Sequence, residues 1–239
     1  DVYKRQALVY LQTGVHNPCG TVIPPARRRA LAAVLDDHGA AVVLEDNTLA
    51  DLVFAGRPTP SFALLCRVAP VVTVESFSKV AWAALRIGWL RATGVVGERI
   101  GQVRVATDLG ASVPSQLLAL QLLPHIDELA ARRRRSLGAA VDAAIDQLQR
   151  ELPAWEIERP AGSSALWPKL PLADATAFVA LARRHGVHVT PGSAHLAHGE
   201  ADPHLRLCVD RPATHVAEGI DRLAAAWHDL SMRTDRAPR

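Results

Sequence analysis

Four polar clusters follow one another along this chain, and their residue types can do chemistry together. They are His16-Asn17-Pro18-Cys19-Gly20, then Glu45-Asp46-Asn47, then Ser76-Phe77-Ser78-Lys79 with Arg86-Ile87-Gly88, and finally His204-Leu205-Arg206-Leu207. A lysine placed directly after an apolar run is expected to be buried. Desolvating an ammonium is costly unless its pKa falls, which makes such a lysine a natural Schiff-base former. Arg86 can grip a phosphate bidentately, helped by the hydroxyl of Ser76. Asp46, at a strand end, can hold a ring nitrogen protonated, and Asn17 can donate to a phenolic oxygen. Taken singly, each cluster has a plainer reading. Lys79 is then a solvated surface lysine, Asp46 a helix cap, Arg86 an ion-pair partner and Arg206 a structural arginine, while Asn17-Pro18 is a turn dipeptide in any case.

The elements that must position these groups are legible in outline. Leu8–Leu11 is a short apolar run ending near Gly14, and Ala41–Leu44, Val71–Val74 and Ile87–Leu90 repeat the pattern. Each reads as a buried strand. Pro24-Pro25 opens a helix over Ala26–His38 that Gly39 stops. Apolar strands alternating with helices argue for a mostly parallel α/β sheet, with ligands at the carboxyl ends of its strands, where the polar clusters fall. After Pro114 the texture changes. Ser115–Leu123 and Ile126–Leu152 read as helices, Trp155–Glu158, Ala165–Pro168, Val187–Thr190 and Leu205–Val209 as strands, and Ala173–His185 and Thr214–Leu230 as helices. This half reads as a smaller α+β domain attached to the long helix.

The four roles together describe a pyridoxal phosphate site, and in order they resemble the class I/II aminotransferases of the fold type I enzymes. That family carries an H-N-P-x-G turn, an E-D segment, S-F-S-K-x6-R-x-G and a late R-L-C, all present here, and the resemblance runs from about Leu8 to Leu230. It implies that Lys79 forms the Schiff base and is the catalytic residue. It implies further that Asp46 pairs with the pyridinium nitrogen, which lets the ring act as an electron sink. Asn17 would bond the phenolic oxygen, Ser76 and Arg86 the phosphate, with Ser78 beside them in the cofactor set, and Arg206 the substrate's α-carboxylate. His195, after Pro191-Gly192-Ser193-Ala194, stands where it can tune side-chain selectivity. The fold implied is the second half of the large, mostly parallel-sheet domain (residues 7–124) followed by the long connecting helix and small C-terminal domain (residues 125–230), with a flexible tail at 231–239.

Two departures from the family bear on function. Its tyrosine two or three residues after the aspartate is replaced by Thr48 and Leu49, which puts the bond to the phenolic oxygen on the shorter Thr48 hydroxyl. The half that precedes these motifs in relatives is also absent, so residues 7–239 alone are expected to bind the cofactor poorly and to aggregate. Asp1–Gln6 is what GAT-GTG-TAT-AAG-AGA-CAG encodes, a translated sequencing adapter, and is expected not to be natural protein.

Composition narrows the setting. The chain has 239 residues, 49% hydrophobic and 21% charged, with 27 Lys+Arg against 24 Asp+Glu, which fits an ordinary globular protein rather than a disordered or fibrous one. A net charge of +3 does not by itself argue for nucleic acid. Cys19, Cys66 and Cys208 are irregularly spaced and fit a reducing cytoplasm, and no apolar run is long enough for a bilayer span. His185, His188, His195, His198 and His204 invite a metal reading, but no carboxylate or cysteine at ligand spacing completes it, and no metal is expected. Arg132–Arg135 reads as a solvated helix surface.

Two functions remain. The wording Leu44–Leu52 and Trp82–Trp89 is closer to MocR-type members of the GntR family, in which a winged-helix DNA-binding module precedes an aminotransferase-like sensor of pyridoxal phosphate or an amino-acid ligand. DNA contact would then come only through that missing module. The alternative is a free-standing aminotransferase exchanging an amino group between an α-amino acid and a 2-oxo acid. Either would be a homodimer.

Overall fold

The computed structural model describes residues 7–38 and 41–235, so the expected adapter residues 1–6 and the last four residues of the expected tail lie outside the described residues. By their contacts the described residues form two units. The first comprises residues up to Asn17 and Thr21–Arg135, the second Pro18–Gly20 and Ser136 onward.

The first unit is built on a four-stranded sheet in the order β1-β2-β3-β4, with β1 at Leu8–Leu11, β2 at Val42–Asp46, β3 at Val71–Ser76 and β4 at Gly88–Arg91. β1, β2 and β3 are parallel, whereas β4 returns antiparallel to β3. The connection from β3 to β4 is too short for a crossover helix, which explains the antiparallel return. It contains only a one-turn helix, α2 (Phe77–Val80), and a short 3-10 turn (Ala83–Leu85). Helix α1 (Pro25–His38) joins β1 to β2, and its Asp36 carboxylate accepts the backbone N–H groups of Arg67, Val68 and Ala69, fixing the entry to β3. Val43, Phe62, Ala32 and Ala69 form the buried cluster on that side of the sheet. Helices α3 (Gly94–Asp108) and α4 (Val113–Leu122) follow β4. Residue patterning carries no signal for α3, because Gly94, Gly97 and Gly101 interrupt its helical periodicity.

The contact division falls inside the long helix α5 (Ile126–Glu151), between Arg135 and Ser136. Its arginine run is not simply a solvated surface. Arg133 Nε donates to the Lys79 carbonyl at 3.3 Å and Arg134 Nη1 to the Asp51 carbonyl at 3.0 Å, so two of the four guanidiniums tie helix to loop.

In the second unit, β5 (Ala165–Leu166), β6 (Thr190–Pro191) and β7 (Leu205–Cys208) make an antiparallel sheet in the order β5-β7-β6. Helices α6 (Thr176–Arg184) and α7 (Ala213–Asp235) complete it. The expected strand at Trp155–Glu158 is reduced to a single bridge between Glu156 and Lys169, and α7 carries helix through Asp235 into the expected tail. Trp155, Phe178 and Trp227 pack edge to face with ring centroids 5.4–5.6 Å apart, a favourable quadrupolar arrangement at the centre of this core.

Candidate functional site

Adjacent residues at the end of β2 point to opposite faces, as a strand requires. Glu45 is fully buried. Its carboxyl accepts from Thr13 Oγ1 at 2.6 Å, Ser61 Oγ at 2.7 Å, Thr73 Oγ1 at 3.1 Å and the Phe62 amide at 2.7 Å, with Arg28 Nη2 at 3.6 Å. Arg28 also donates to the Pro60 carbonyl. Glu45 therefore fastens β2 to β3, to the segment that follows β1 and to the 60–62 segment, a role the motif reading does not give it.

Asp46 faces the other way and is half-buried. Its Oδ2 accepts the Tyr10 hydroxyl at 2.6 Å and Gln12 Nε2 at 3.4 Å, while Oδ1 accepts the Thr48 amide at 3.0 Å and the Thr48 hydroxyl at 2.7 Å. Burial by itself would raise this carboxyl. The donors from Tyr10, Thr48 and Gln12 outweigh burial and hold it below the ordinary aspartate value. The Thr48 hydroxyl is thus committed to the carboxylate. Gln12 extends the network: its Nε2 donates to the Tyr10 oxygen at 2.9 Å, and its Oε1 accepts the Asn17 amide at 2.8 Å. One side chain so connects the Asn-Pro turn to Asp46.

The connection from β3 to β4 places the remaining first-unit residues. Ser76 caps α2, accepting the Ser78 amide at 3.1 Å and leaving its own hydroxyl proton free to donate. Lys79 follows on the same turn. It is exposed rather than buried, and its ammonium makes no hydrogen bond or ion pair among the described residues. Arg86 is held at φ +53°, a left-handed conformation that costs a non-glycine residue about 1 kcal/mol, and its exposed guanidinium is likewise without a bond among the described residues. The R-x-G spacing has a steric cause. Gly88 pairs with Ser76 across the β3–β4 ladder, and a Cβ there would sit 2.7 Å from the Glu75 carbonyl oxygen.

In the second unit, Arg206 lies on β7 and donates to Cys208 Sγ at 3.0 Å. His195 ends a short 3-10 turn and meets the edge of Trp167 at 5.4 Å, while His204 stacks on Trp167 at 5.3 Å and 9° and bonds Asp202 Oδ1 through Nδ1 at 2.9 Å. A Cβ at Gly192 would overlap Asp202 Oδ1 at 1.8 Å, so a larger residue there would displace that carboxylate. His185 pairs with Asp229 at 3.5 Å instead of joining the other histidines. The structure thus gathers Asn17, Asp46 and Thr48 through Gln12, and Ser76, Ser78, Lys79 and Arg86 on one connection. Arg206 and His195 belong to the other unit. Tyr10, Gln12 and Trp167 do not stand out in the sequence. A polar residue at a strand end beside another strand's carboxylate is the signal that could find the first two.

Polar groups of these types at the carboxyl ends of parallel strands suit a fold type I pyridoxal-phosphate protein. An amine without a partner among the described residues suits an aldehyde, a guanidinium likewise without one together with a serine hydroxyl whose proton is free suits a phosphate, and a carboxylate held below its ordinary pKa suits a protonated ring nitrogen. The profile of the family described as "Aminotransferase class I and II" matches residues 3–226, and the chain belongs to that family. It is 32% identical to the 2-aminoadipate transaminase of Thermus thermophilus over 243 residues, covering 96% of this chain and 60% of that one. It is also 32% identical over 165 residues to the HTH-type transcriptional regulator YisV of Bacillus subtilis, covering 67% of this chain and 34% of the regulator. The crystal structure of LysN, the α-aminoadipate aminotransferase of Thermus thermophilus complexed with N-(5'-phosphopyridoxyl)-L-leucine, superimposes with a TM-score of 0.88 at 29% identity, over 97% of this chain and 61% of that one. The chain therefore spans less than two thirds of the length of these relatives. It is an aminotransferase-like domain with relatives among both enzymes and regulators, and pyridoxal phosphate is the cofactor of its family. Among the described residues no helix is long and apolar enough to cross a membrane.

Proposed function

We propose that this chain is the pyridoxal-phosphate-binding sensor domain of a MocR-type, GntR-family regulator, in which Lys79 Nζ holds the cofactor covalently. The supporting observation is the commitment of the Thr48 hydroxyl to Asp46. The groups that bind and orient a cofactor are present, whereas the hydroxyl after Asp46 that would reach the phenolic oxygen is spent on the carboxylate. A sensor needs a bound state with conformational consequences and does not need fast turnover. When bound, the cofactor supplies an electron sink for charge developing at the amino acid's Cα. Lys79 Nζ takes and returns the Cα proton. Asp46 keeps a proton on the ring nitrogen, Asn17 donates to the phenolic oxygen, Ser76, Ser78 and Arg86 hold the phosphate, and Arg206 with His195 receives the amino acid. The intact protein is a cytoplasmic homodimer that contacts DNA only through a separate module.

A free-standing aminotransferase is the second reading, favoured by the match to the Thermus transaminase along 96% of this chain. The coding sequence upstream of codon 7 separates the two. A basic winged-helix module followed by the half-domain that precedes these motifs in relatives is expected, and a frame opening directly into an aminotransferase would sink the regulator. Under either reading, Lys79→Ala in the intact protein is expected to abolish the visible absorbance of bound cofactor. Survival of that band would mean that another lysine carries it.

A further inference from the structure

The Asp46 carboxylate receives its shortest hydrogen bond from a residue far away in the chain. Tyr10, on β1, donates to Oδ2 at 2.6 Å, and Gln12 donates to the Tyr10 oxygen at 2.9 Å, so the two bonds run head to tail toward the carboxylate. In such a chain each bond polarises the next. The same Gln12 accepts the Asn17 amide at 2.8 Å. We infer that Tyr10, aligned by Gln12, is the positioning residue for the carboxylate that meets the cofactor's ring nitrogen, fixing its orientation and keeping it ionised.

Tyr10 makes the shortest of the bonds to Asp46 and the short one to Oδ2, which Gln12 Nε2 reaches only at 3.4 Å. Thr48 serves only Oδ1, and Val74, the register partner of Asp46 on β3, carries no charge. Partial burial and then the adjacent carboxylate push the Tyr10 hydroxyl up to about 12, so it remains a donor across the neutral range. Losing a neutral donor to a charged acceptor is an effect of about one pH unit. Because Asp46 lies below its ordinary value, its ionised form prevails above that value and is lost as pH falls. Removing Tyr10's hydroxyl must move that loss to higher pH.

The inference rests on the cofactor reading above, and the test separates the two. In the cofactor-free intact protein, the Asp46 side-chain carboxyl is titrated by carbon-13 NMR, its resonance assigned by loss in Asp46→Asn. Tyr10→Phe is expected to raise the midpoint by about one pH unit, and Gln12→Leu to raise it by less. In parallel, Tyr10→Phe is expected to weaken pyridoxal phosphate binding about tenfold and to move the acid limb of that binding upward by the same pH shift. An unshifted Asp46 midpoint in Tyr10→Phe, or an Asp46 that already titrates at the ordinary value in the unmodified protein, overturns the inference. If Tyr10→Phe shifts the midpoint as expected but the unmodified protein binds no pyridoxal phosphate, the cofactor reading falls and the Tyr10–Asp46 coupling stands.

Discussion

The two units of this chain differ in how completely they bury their apolar surface. Val95, Val103, Leu109, Leu117, Leu120 and Trp82 are all exposed and all lie in the first unit, while Leu196 and Met232 are the large apolar side chains exposed among the described residues of the second. Besides its Trp155–Phe178–Trp227 trio the second unit holds Leu148, Leu166, Leu205, Ile220 and Leu223, every one fully buried. The first unit keeps its order differently. Its strand ends are fastened by the polar network on Glu45, while α3, α4 and β4 leave apolar faces open. The contrast fits a chain that spans only about 60% of the transaminase it matches. Both units have buried apolar clusters, and the first adds the Glu45 network of directional bonds to its own.

That contrast can be broken at three points. The largest effect is expected at Phe178, fully buried between two tryptophans. Phe178→Ala should cost about 3–5 kcal/mol in denaturant unfolding followed by tryptophan fluorescence. A loss under about 1 kcal/mol would show that the trio is not the core of the second unit. Next comes Glu45→Gln, which turns an amide NH2 toward groups that are themselves donors and should cost about 2–3 kcal/mol of first-unit stability. Amide exchange at Phe62 reports it, since that N–H bonds Glu45 Oε1 at 2.7 Å. Unchanged protection there would mean that packing, not the polar network, fastens the 60–62 segment. The smallest effect is expected at Leu109, which ends α3 at φ +58° with 88% of its surface exposed. Leu109→Gly relieves about 1–2 kcal/mol of left-handed strain and forfeits about 0.5–1 kcal/mol of chain entropy, for a net gain of about 0.5 kcal/mol. A lower melting temperature would show that the leucine is packed against a partner in solution.

The strands β1, β2 and β3 are legible in the sequence because each is a short continuous apolar run, but the burial that such a run suggests fails on β1, where Leu8 and Tyr10 are exposed. The strands of the second unit are less so. Hydrogen bonding between Glu156 and Lys169, or between Thr190 and Arg206, is settled by pairing across the chain, and the local pattern overestimates both lengths. Lys79 is found by its motif, although burial, the physical reason that its position after an apolar run suggests, does not hold: the side chain is exposed. Glu45 reads as part of a polar strand-end cluster and is instead a fully buried tie between β2, β3 and the segment that follows β1.

The sequence by itself determined the family and the chemical types of the candidate site, because a lysine, an arginine, an aspartate and an asparagine at these spacings are local facts. Only the tertiary structure decided what each of them touches. Tyr10 and Asp46 are separated by 36 positions and meet because parallel pairing of β1 with β2 sets Tyr10 opposite Leu44, at the strand end where Asp46 stands. Thr48 turns back on the same carboxylate from only two residues further along the chain. The Tyr10 bond depends on register and on which face each side chain takes, and a shift of one residue in either strand would abolish it.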